Sequence, residues 1–380
     1  MYKGDGKMSK IQISKIPTID QLRYHSLGKK RKKNISRESQ KVYDNPIKIN
    51  DLALEMHPEK IKMVVKNIID ENSQVKTIFL EKEKNLLPVY RGGDQIAIYL
   101  GKNKDYATQT YSISGNPLKK EYCITIPKED TKVSNDLYEK TKIGDIIEVS
   151  EPFRNIFYNR VLDQKEVLFL VKGLSITTIY PIIIEVLEKK LVKNAILLWE
   201  KDQEEYVRIQ KELNKLIQKN PHFQMIALDE KNTKKTKEAL EKIDLNHKSI
   251  FVAGNPSFYK RVNTMLQDFE LSSNQAHYEL KKIKPSKLET KSYYMTVITK
   301  EEKKRISIHA QETILDSLLK SGIKVKSKCN IGTCGYCKSK LIKGKINTDQ
   351  TYMRYADKQN HYIHPCVSYP LSNITIELPF

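Results

Sequence analysis

Cys329-Asn330-Ile331-Gly332-Thr333-Cys334-Gly335-Tyr336-Cys337, joined after a further 28 residues by Pro365-Cys366, decides how this chain is read. The pattern C-x4-C-x2-C with a distant fourth cysteine is the spacing that holds a 2Fe-2S cluster. Three thiolates on one short loop must curl round one centre with backbone N–H groups turned towards anionic sulfur. Gly332 and Gly335 supply the backbone angles this needs without a Cβ penalty. A structural zinc site is the alternative, but zinc sites more often show two C-x2-C pairs, and here there is one. With Cys329, Cys334, Cys337 and Cys366 as the metal ligands, His361 and His364 are expected to serve packing or the surface. Such a cluster takes and gives one electron at a time.

The flanking residues suit a small α+β unit. Ile306-Ser307-Ile308 alternates as a strand does, and Ile314, Leu315, Leu318 and Leu319 fall at helical spacing between Glu312 and Lys320. Gly322 stops that helix, and Leu341-Ile342 and Ile374-Thr375-Ile376 read as further strands. Together with the cysteine loop, residues 291–380 resemble a plant-type 2Fe-2S ferredoxin domain with a β-grasp fold.

A chain of 380 residues has room for two to three domains. Lys+Arg 67 against Asp+Glu 46 gives a net charge of +21. The basic residues are spread through every segment rather than gathered in a patch, which argues against a nucleic-acid partner. No apolar run reaches the length of a membrane span, and the first residues lack a signal peptide's apolar stretch. Cysteines used as ligands, with Cys123 read as a small buried hydrophobe, suit a reducing interior, so a cytoplasmic location is expected.

Upstream, residues 1–57 form a polar, basic extension that includes Lys29-Lys30-Arg31-Lys32-Lys33, read as a solvated tail. Asn50 is placed to cap a short helix through Leu52, Leu54 and Met56. Between 58 and 163 the texture is one of short strands, at Met63-Val64-Val65, Thr77–Leu80, Gln95–Leu100, Tyr122–Ile126 and Ile146–Val149, with a turn at Gly92-Gly93. That spacing predicts an antiparallel barrel. From 164 to 282 apolar strands at Val167–Val171, Ala195–Trp199, Gln224–Leu228 and Ser249–Ala253 alternate with helical segments such as Glu204–Gln218 and Lys235–Ile243. That alternation predicts a doubly wound parallel sheet. Lys281–Thr290 reads as the linker.

The predicted fold is therefore multidomain α+β, a barrel, a parallel α/β domain and a cluster domain in that order. The layout is similar to the ferredoxin–NADP reductase family with a fused C-terminal ferredoxin, as in reductases of oxygenases and of hybrid-cluster proteins. Tyr111-Ser112-Ile113-Ser114 resembles that family's R-x-Y-S-x-S strand. The resemblance implies that Tyr111 packs on a flavin and that Ser112 approaches its N5, the two catalytic positions. Gln109 stands where the family's phosphate-contacting arginine would be, which removes a charge-assisted bond. Val133-Ser134-Asn135 and the residues after it resemble the V-S-x-x-L segment, where a helix N-terminus faces the flavin pyrophosphate. Pro152-Phe153 matches the family's P-F, with Arg154 in place of the usual glycine. FAD is expected over FMN.

The nicotinamide motifs depart further. The family's G-G-T-G-I-T-P turn reads Lys172-Gly173-Leu174-Ser175-Ile176-Thr177-Thr178, and its C-G-P reads Ala253-Gly254-Asn255-Pro256. Gly173, Thr177, Lys201 and Gly254 are the positions carried over for a nicotinamide. The resemblance implies an NAD(P)H-dependent oxidoreductase that passes electrons from flavin through the cluster to an external redox protein. A flavin is needed because a nicotinamide gives two electrons together and the cluster takes one. The alternative is an electron-relay subunit with a decayed nicotinamide site, reduced by another protein.

Overall fold

In the computed structural model the chain divides into two units, Met1–Pro58 and Glu59–Phe380. The structure describes residues 26–30, 33 and 60–378, except 83–87, 102–105, 130, 202–205, 230–232, 270, 273, 282–284, 286–287, 300–301, 324 and 349–352. The helix expected after Asn50 lies outside the described residues. In the first unit, residues 26–30 and 33 are helical and exposed.

The second unit contains three main sheets. The first is antiparallel and is built from β1 (Ile61–Asn72), β2 (Val75–Glu81), β3 (Asp94–Leu100), β4 (Ala107–Ser112), β5 (Tyr122–Pro127), β6 (Ile146–Val149) and β7 (Phe153–Arg154). Its order is β4-β3-β6-β1-β2-β5, with β7 on β3. Among the described residues a single bridge, Ile113 to Ile124, closes the barrel between β4 and β5. Inward residues such as Ile78, Ile96, Ile98, Ile124 and Ile126 fill its core. Helix α1 (Lys132–Lys140) follows β5 and buries Val133 and Leu137 in that core.

The second sheet is parallel: β8 (Glu166–Lys172), β9 (Asn194–Lys201), β10 (Phe223–Asp229), β11 (Lys248–Ala253) and β12 (Ala276–Tyr278), in the order β10-β9-β8-β11-β12. Central β8 is covered on both faces, so Val167 to Val171 are all buried and apolar. Helices α2 (Ile176–Glu188), α3 (Val207–Lys219), α4 (Thr233–Glu241) and α5 (Pro256–Leu266) connect the strands. The chain runs outward from β8 to β10, then returns to β11 on the other side of β8. The crevice beyond Val171 and Ala253, which are paired in register, is thus the point where strand order reverses.

The barrel is seated on α2. A Cβ added at Gly92 would lie 2.6 Å from the Ile182 Cα, and one at Gly93, whose φ is +85°, would lie 1.7 Å from the Ile156 carbonyl oxygen. The Gly92 N–H donates to Glu185 Oε2 at 3.0 Å. A second tie is almost dry. Glu71 of β1 accepts from the Arg208 backbone N–H at 2.8 Å, the Arg208 Nε at 3.1 Å and the Thr77 hydroxyl at 2.6 Å.

The third sheet combines β13 (Ser292–Ile298), β14 (Lys303–His309), β15 (Ser339–Lys343), β17 (Tyr362–Ile363) and β19 (Ile374–Glu377) in the order β14-β13-β19-β15-β17. β16 (Ile346–Thr348) and β18 (Ser368–Pro370) form a separate pair. Helix α6 (Ile314–Lys320) packs Ile314 and Leu318 onto this sheet, capped by the Thr313 hydroxyl and ended near Gly322 at φ +73°. A short helix, α7 (Tyr355–Gln359), precedes β17.

Candidate functional site

β4 is an edge strand: paired on one side with β3, it has only the Ile113–Ile124 bridge beyond its other side. Unpaired backbone N–H and C=O groups in a cleft call for a polar partner. Along this edge opens a cavity of about 820 Å³, walled by the barrel, the crevice of the parallel sheet and the third sheet's domain. Tyr111 and Ser112 both line it. Tyr111 is buried, yet its hydroxyl has no hydrogen-bond partner. Burial pushes its pKa up. The Gln95 side-chain carbonyl beside it is also without a partner.

Ser112 begins a chain of hydrogen bonds. Its Oγ lies 3.2 Å from Gln95 Nε2 and 2.7 Å from Thr178 Oγ1, and Thr178 donates to Glu279 Oε1 at 2.7 Å. Glu279 is 3% exposed, is paired with Lys281 at 3.2 Å and accepts from the Tyr259 hydroxyl at 3.4 Å. Lys281 in turn donates to the Ser175 Oγ at 2.9 Å. Sequence reasoning missed Glu279 and Lys281, because their only mark is to follow the short strand β12. Thr178 was noted only as the residue replacing a proline.

The start of α1 faces the same cavity through Thr131, Lys132 and Val133. Thr131 caps the helix by accepting from the Ser134 N–H at 3.2 Å and donates its own proton to Gln109 Oε1 at 2.8 Å. Gln109 is thereby held at the helix N-terminus, the end that favours negative charge. Ser134 Oγ turns to the Pro127 carbonyl, and the Asn135 N–H is taken by the Thr131 carbonyl. Of these three expected flavin residues, Val133 lines the cavity.

At the crevice, Gly173 has φ +51° and opens a tight turn over Gly173–Ser175 whose first carbonyl accepts from the Trp199 indole at 3.1 Å. Leu174, Ser175 and Thr177 line the cavity. Gly254 sits at the end of the neighbouring strand, where a Cβ would lie 2.3 Å from the Phe258 ring. Asn255, the inserted residue, caps α5 through the Phe258 N–H at 2.9 Å, with Pro256 in the first turn. Lys201 lies 4.8 Å over the Trp199 ring and bonds to Gln210, and does not line the cavity.

The four predicted ligands converge in two pairs. Cys337 Sγ and Cys366 Sγ are 3.4 Å apart, and the Cys334 N–H donates to Cys329 Sγ at 3.4 Å. Among the described residues no three Cys, His, Asp or Glu side chains surround a single-ion position. Hydrogen bonds among the four lower the Cys329 and Cys337 thiols and raise those of their partners Cys334 and Cys366. Thiolate is the form that ligates iron. Gly332 and Gly335 have φ +83° and +72°, and Asn330 shares the left-handed region at +55°. His364 is buried and bonds the Gly332 carbonyl at 2.7 Å, a supporting position. Three thiols on a loop of left-handed turns, with a fourth brought in by Cys366, fit a 2Fe-2S group. Tyr111, Gln95 and the open edge of β4 fit a flat ring with polar edges.

The two sites share β4. Thr110 donates to the Cys329 carbonyl at 3.0 Å, and Asn330 Nδ2 donates to the Thr108 Oγ1 at 3.1 Å. Cys329 and Ile331 pack on Ala97, Tyr99 and Phe153, and Lys328 pairs with Glu151 at 3.6 Å. Thr108 and Thr110 alternate with Tyr111's side of the strand, so a period-two reading of Thr108, Thr110 and Ser112 could have found them.

Such a barrel, crevice and thiol loop define a class of protein, the electron-transfer reductases. Residues 298–371 match the 2Fe-2S iron-sulfur cluster binding domain family. A heterocyst ferredoxin of Nostoc sp. is 32% identical over 89 residues, 23% of this chain and 90% of the ferredoxin. The glycine betaine monooxygenase reductase subunit of Chromohalobacter salexigens is 21% identical over 351 residues, covering 82% of this chain and 93% of its own. The solved structure of phthalate dioxygenase reductase superposes with a TM-score of 0.66 at 18% identity, covering 84% of this chain and 98% of that one. Residues 298–371 thus form a 2Fe-2S iron-sulfur cluster binding domain of the ferredoxin kind, and the chain shares the fold of phthalate dioxygenase reductase.

Proposed function

We propose that this chain is an NAD(P)H-dependent flavin and iron–sulfur oxidoreductase that delivers electrons to an external protein, an oxygenase component in the manner of its relatives. The observation that carries this reading is the shared strand: β4 holds Tyr111 and Ser112 at one cavity and is hydrogen-bonded through Thr110 to Cys329. Bound FAD would take hydride as an electron pair and release electrons singly, as a 2Fe-2S cluster requires.

The roles fall on named residues. The unpaired Tyr111 hydroxyl and Gln95 carbonyl bind polar atoms of the flavin, and Ser112 is held by Thr178 for the reacting edge. The buried Glu279 carboxylate takes the Thr178 proton, so the Ser112 hydroxyl donates to Thr178 Oγ1, accepts from Gln95 Nε2 and keeps a lone pair for the reacting edge. The start of α1 and Lys132 supply positive potential for phosphate in place of the missing arginine. Cys329, Cys334, Cys337 and Cys366 hold the irons. We assign residues 58–163 to flavin binding, 164–282 to the nicotinamide and 291–380 to the cluster, behind the extension 1–57.

One observation favours a second reading, an electron relay reduced by another protein. Ser175 enters the cavity where the family keeps a glycine, and Lys281 is bonded across to it. Anaerobic titration with NADH and with NADPH separates the two. The enzyme bleaches its flavin with one of them before the cluster absorbance falls. Bleaching by neither, with reduction by dithionite intact, would leave only the relay.

A further inference from the structure

The four thiols face different surroundings. Cys329 is sealed with Ile331 against Ala97, Tyr99 and Phe153 of the barrel, and Cys337 and Cys366 are buried with Leu315 and Val367. Cys334 alone of the four is exposed. From it the surface runs to Tyr336, 56% exposed, and to α7, where Tyr355 is 76% exposed. α7 is tied to the loop because Asp357 pairs at 3.0 Å with Lys338, the residue after Cys337.

Along this surface the carboxylates are paired and two cations are left over. Arg354, the N-cap of α7, and Lys358, one turn further on, are both exposed, and neither makes an ion pair among the described residues. The nearby carboxylates are already engaged, Asp357 by Lys338 and Glu151 by Lys328. An electron leaves where the ligand shell comes closest to a partner, since tunnelling falls steeply with distance. Barrel contacts close the Cys329 side.

We infer that the Cys334–Tyr336 surface, flanked by Arg354 and Lys358, is the electron exit and docks a redox protein whose own centre is ringed by acidic side chains. This rests on the reading that the chain donates electrons to an external protein. Opposite charge accelerates encounter and fixes orientation, and salt weakens it. A nucleic acid would meet the same cations but has no use for an exposed thiolate ligand.

The test uses the full holoprotein, reduced by dithionite and freed of excess reductant. It is mixed in stopped flow with plastocyanin, an acidic copper protein, or cytochrome c, a basic haem protein. At low salt plastocyanin should reoxidise the cluster faster, and salt should slow it. Arg354→Glu with Lys358→Glu should slow plastocyanin by about tenfold or more and speed cytochrome c, with the absorption spectrum unchanged. Arg354→Gln with Lys358→Gln should shift both rates the same way by less. Equal or faster oxidation by cytochrome c in the unaltered protein, or no response to either double variant, overturns the docking assignment. A cluster that dithionite cannot reduce, or that passes electrons to neither protein nor to ferricyanide, overturns the underlying reading instead.

Discussion

Cys334 is both a ligand and the exposed edge of its site, so its removal is the cleanest test at the scale of one residue. Cys334→Ser should abolish the cluster's visible absorbance while flavin stays bound, because Tyr111 and Ser112 lie on the barrel and do not touch that thiol. Loss of both chromophores together would show that the two sites cannot be loaded separately. The cysteines were legible because ligand spacing is local: three of four lie within one loop, and only their residue types can do the chemistry. Tyr111 and Ser112 were legible as a short motif. Glu279 was not, since its significance depends on Thr178, 101 positions away, and no local pattern marks a carboxylate that a hydroxyl will reach. Lys201 illustrates the reverse case. Carried over for a nicotinamide, it ends β9 with its side chain over Trp199 and outside the cavity lining.

At the scale of elements, periodicity found most strands of the barrel and of the parallel sheet but missed β7, β12, β13 and β17, and it placed two helices within a turn of their observed ends. Glu204–Gln218 became Val207–Lys219, and Lys235–Ile243 became Thr233–Glu241. Gly92-Gly93 was readable only as a turn, whereas its work is to let α2 approach the barrel backbone. Gly93→Ala should therefore cost more than a surface turn substitution. The added methyl meets a carbonyl at 1.7 Å and the residue is at φ +85°, so at least about 1–3 kcal/mol of strain is expected. A fall in melting temperature by several degrees would meet this; an unchanged one would mean that the turn can move off Ile156 freely. β4 was read through its Tyr111-Ser112 motif alone, because nothing in six residues announces that one of its sides will be left without a neighbouring strand.

For the whole molecule, what matters is how the barrel is held to the parallel sheet, since the cavity lies between them. Glu71 and Arg208 come from β1 and α3, 137 positions apart, and are 1% and 9% exposed. Replacing one partner of a buried ion pair strands the other. Arg208→Met should lower stability by about 3–5 kcal/mol, and Glu71→Gln with Arg208→Met should recover part of it. The single tryptophan, buried Trp199, reports the transition in urea through its fluorescence. Equal loss in the single and double variants would count against a coupled pair. No helix among the described residues is long and apolar enough to cross a membrane.

The six residues Ala107–Ser112 carry a consequence for engineering. Because Thr108 and Thr110 anchor the thiol loop while the next two positions floor the cavity, this protein is not a string of interchangeable cassettes. A chimera that imports a foreign tail onto this barrel would inherit the iron centre but lose its wiring. Grafting would have to carry the matching stretch of strand along with the tail.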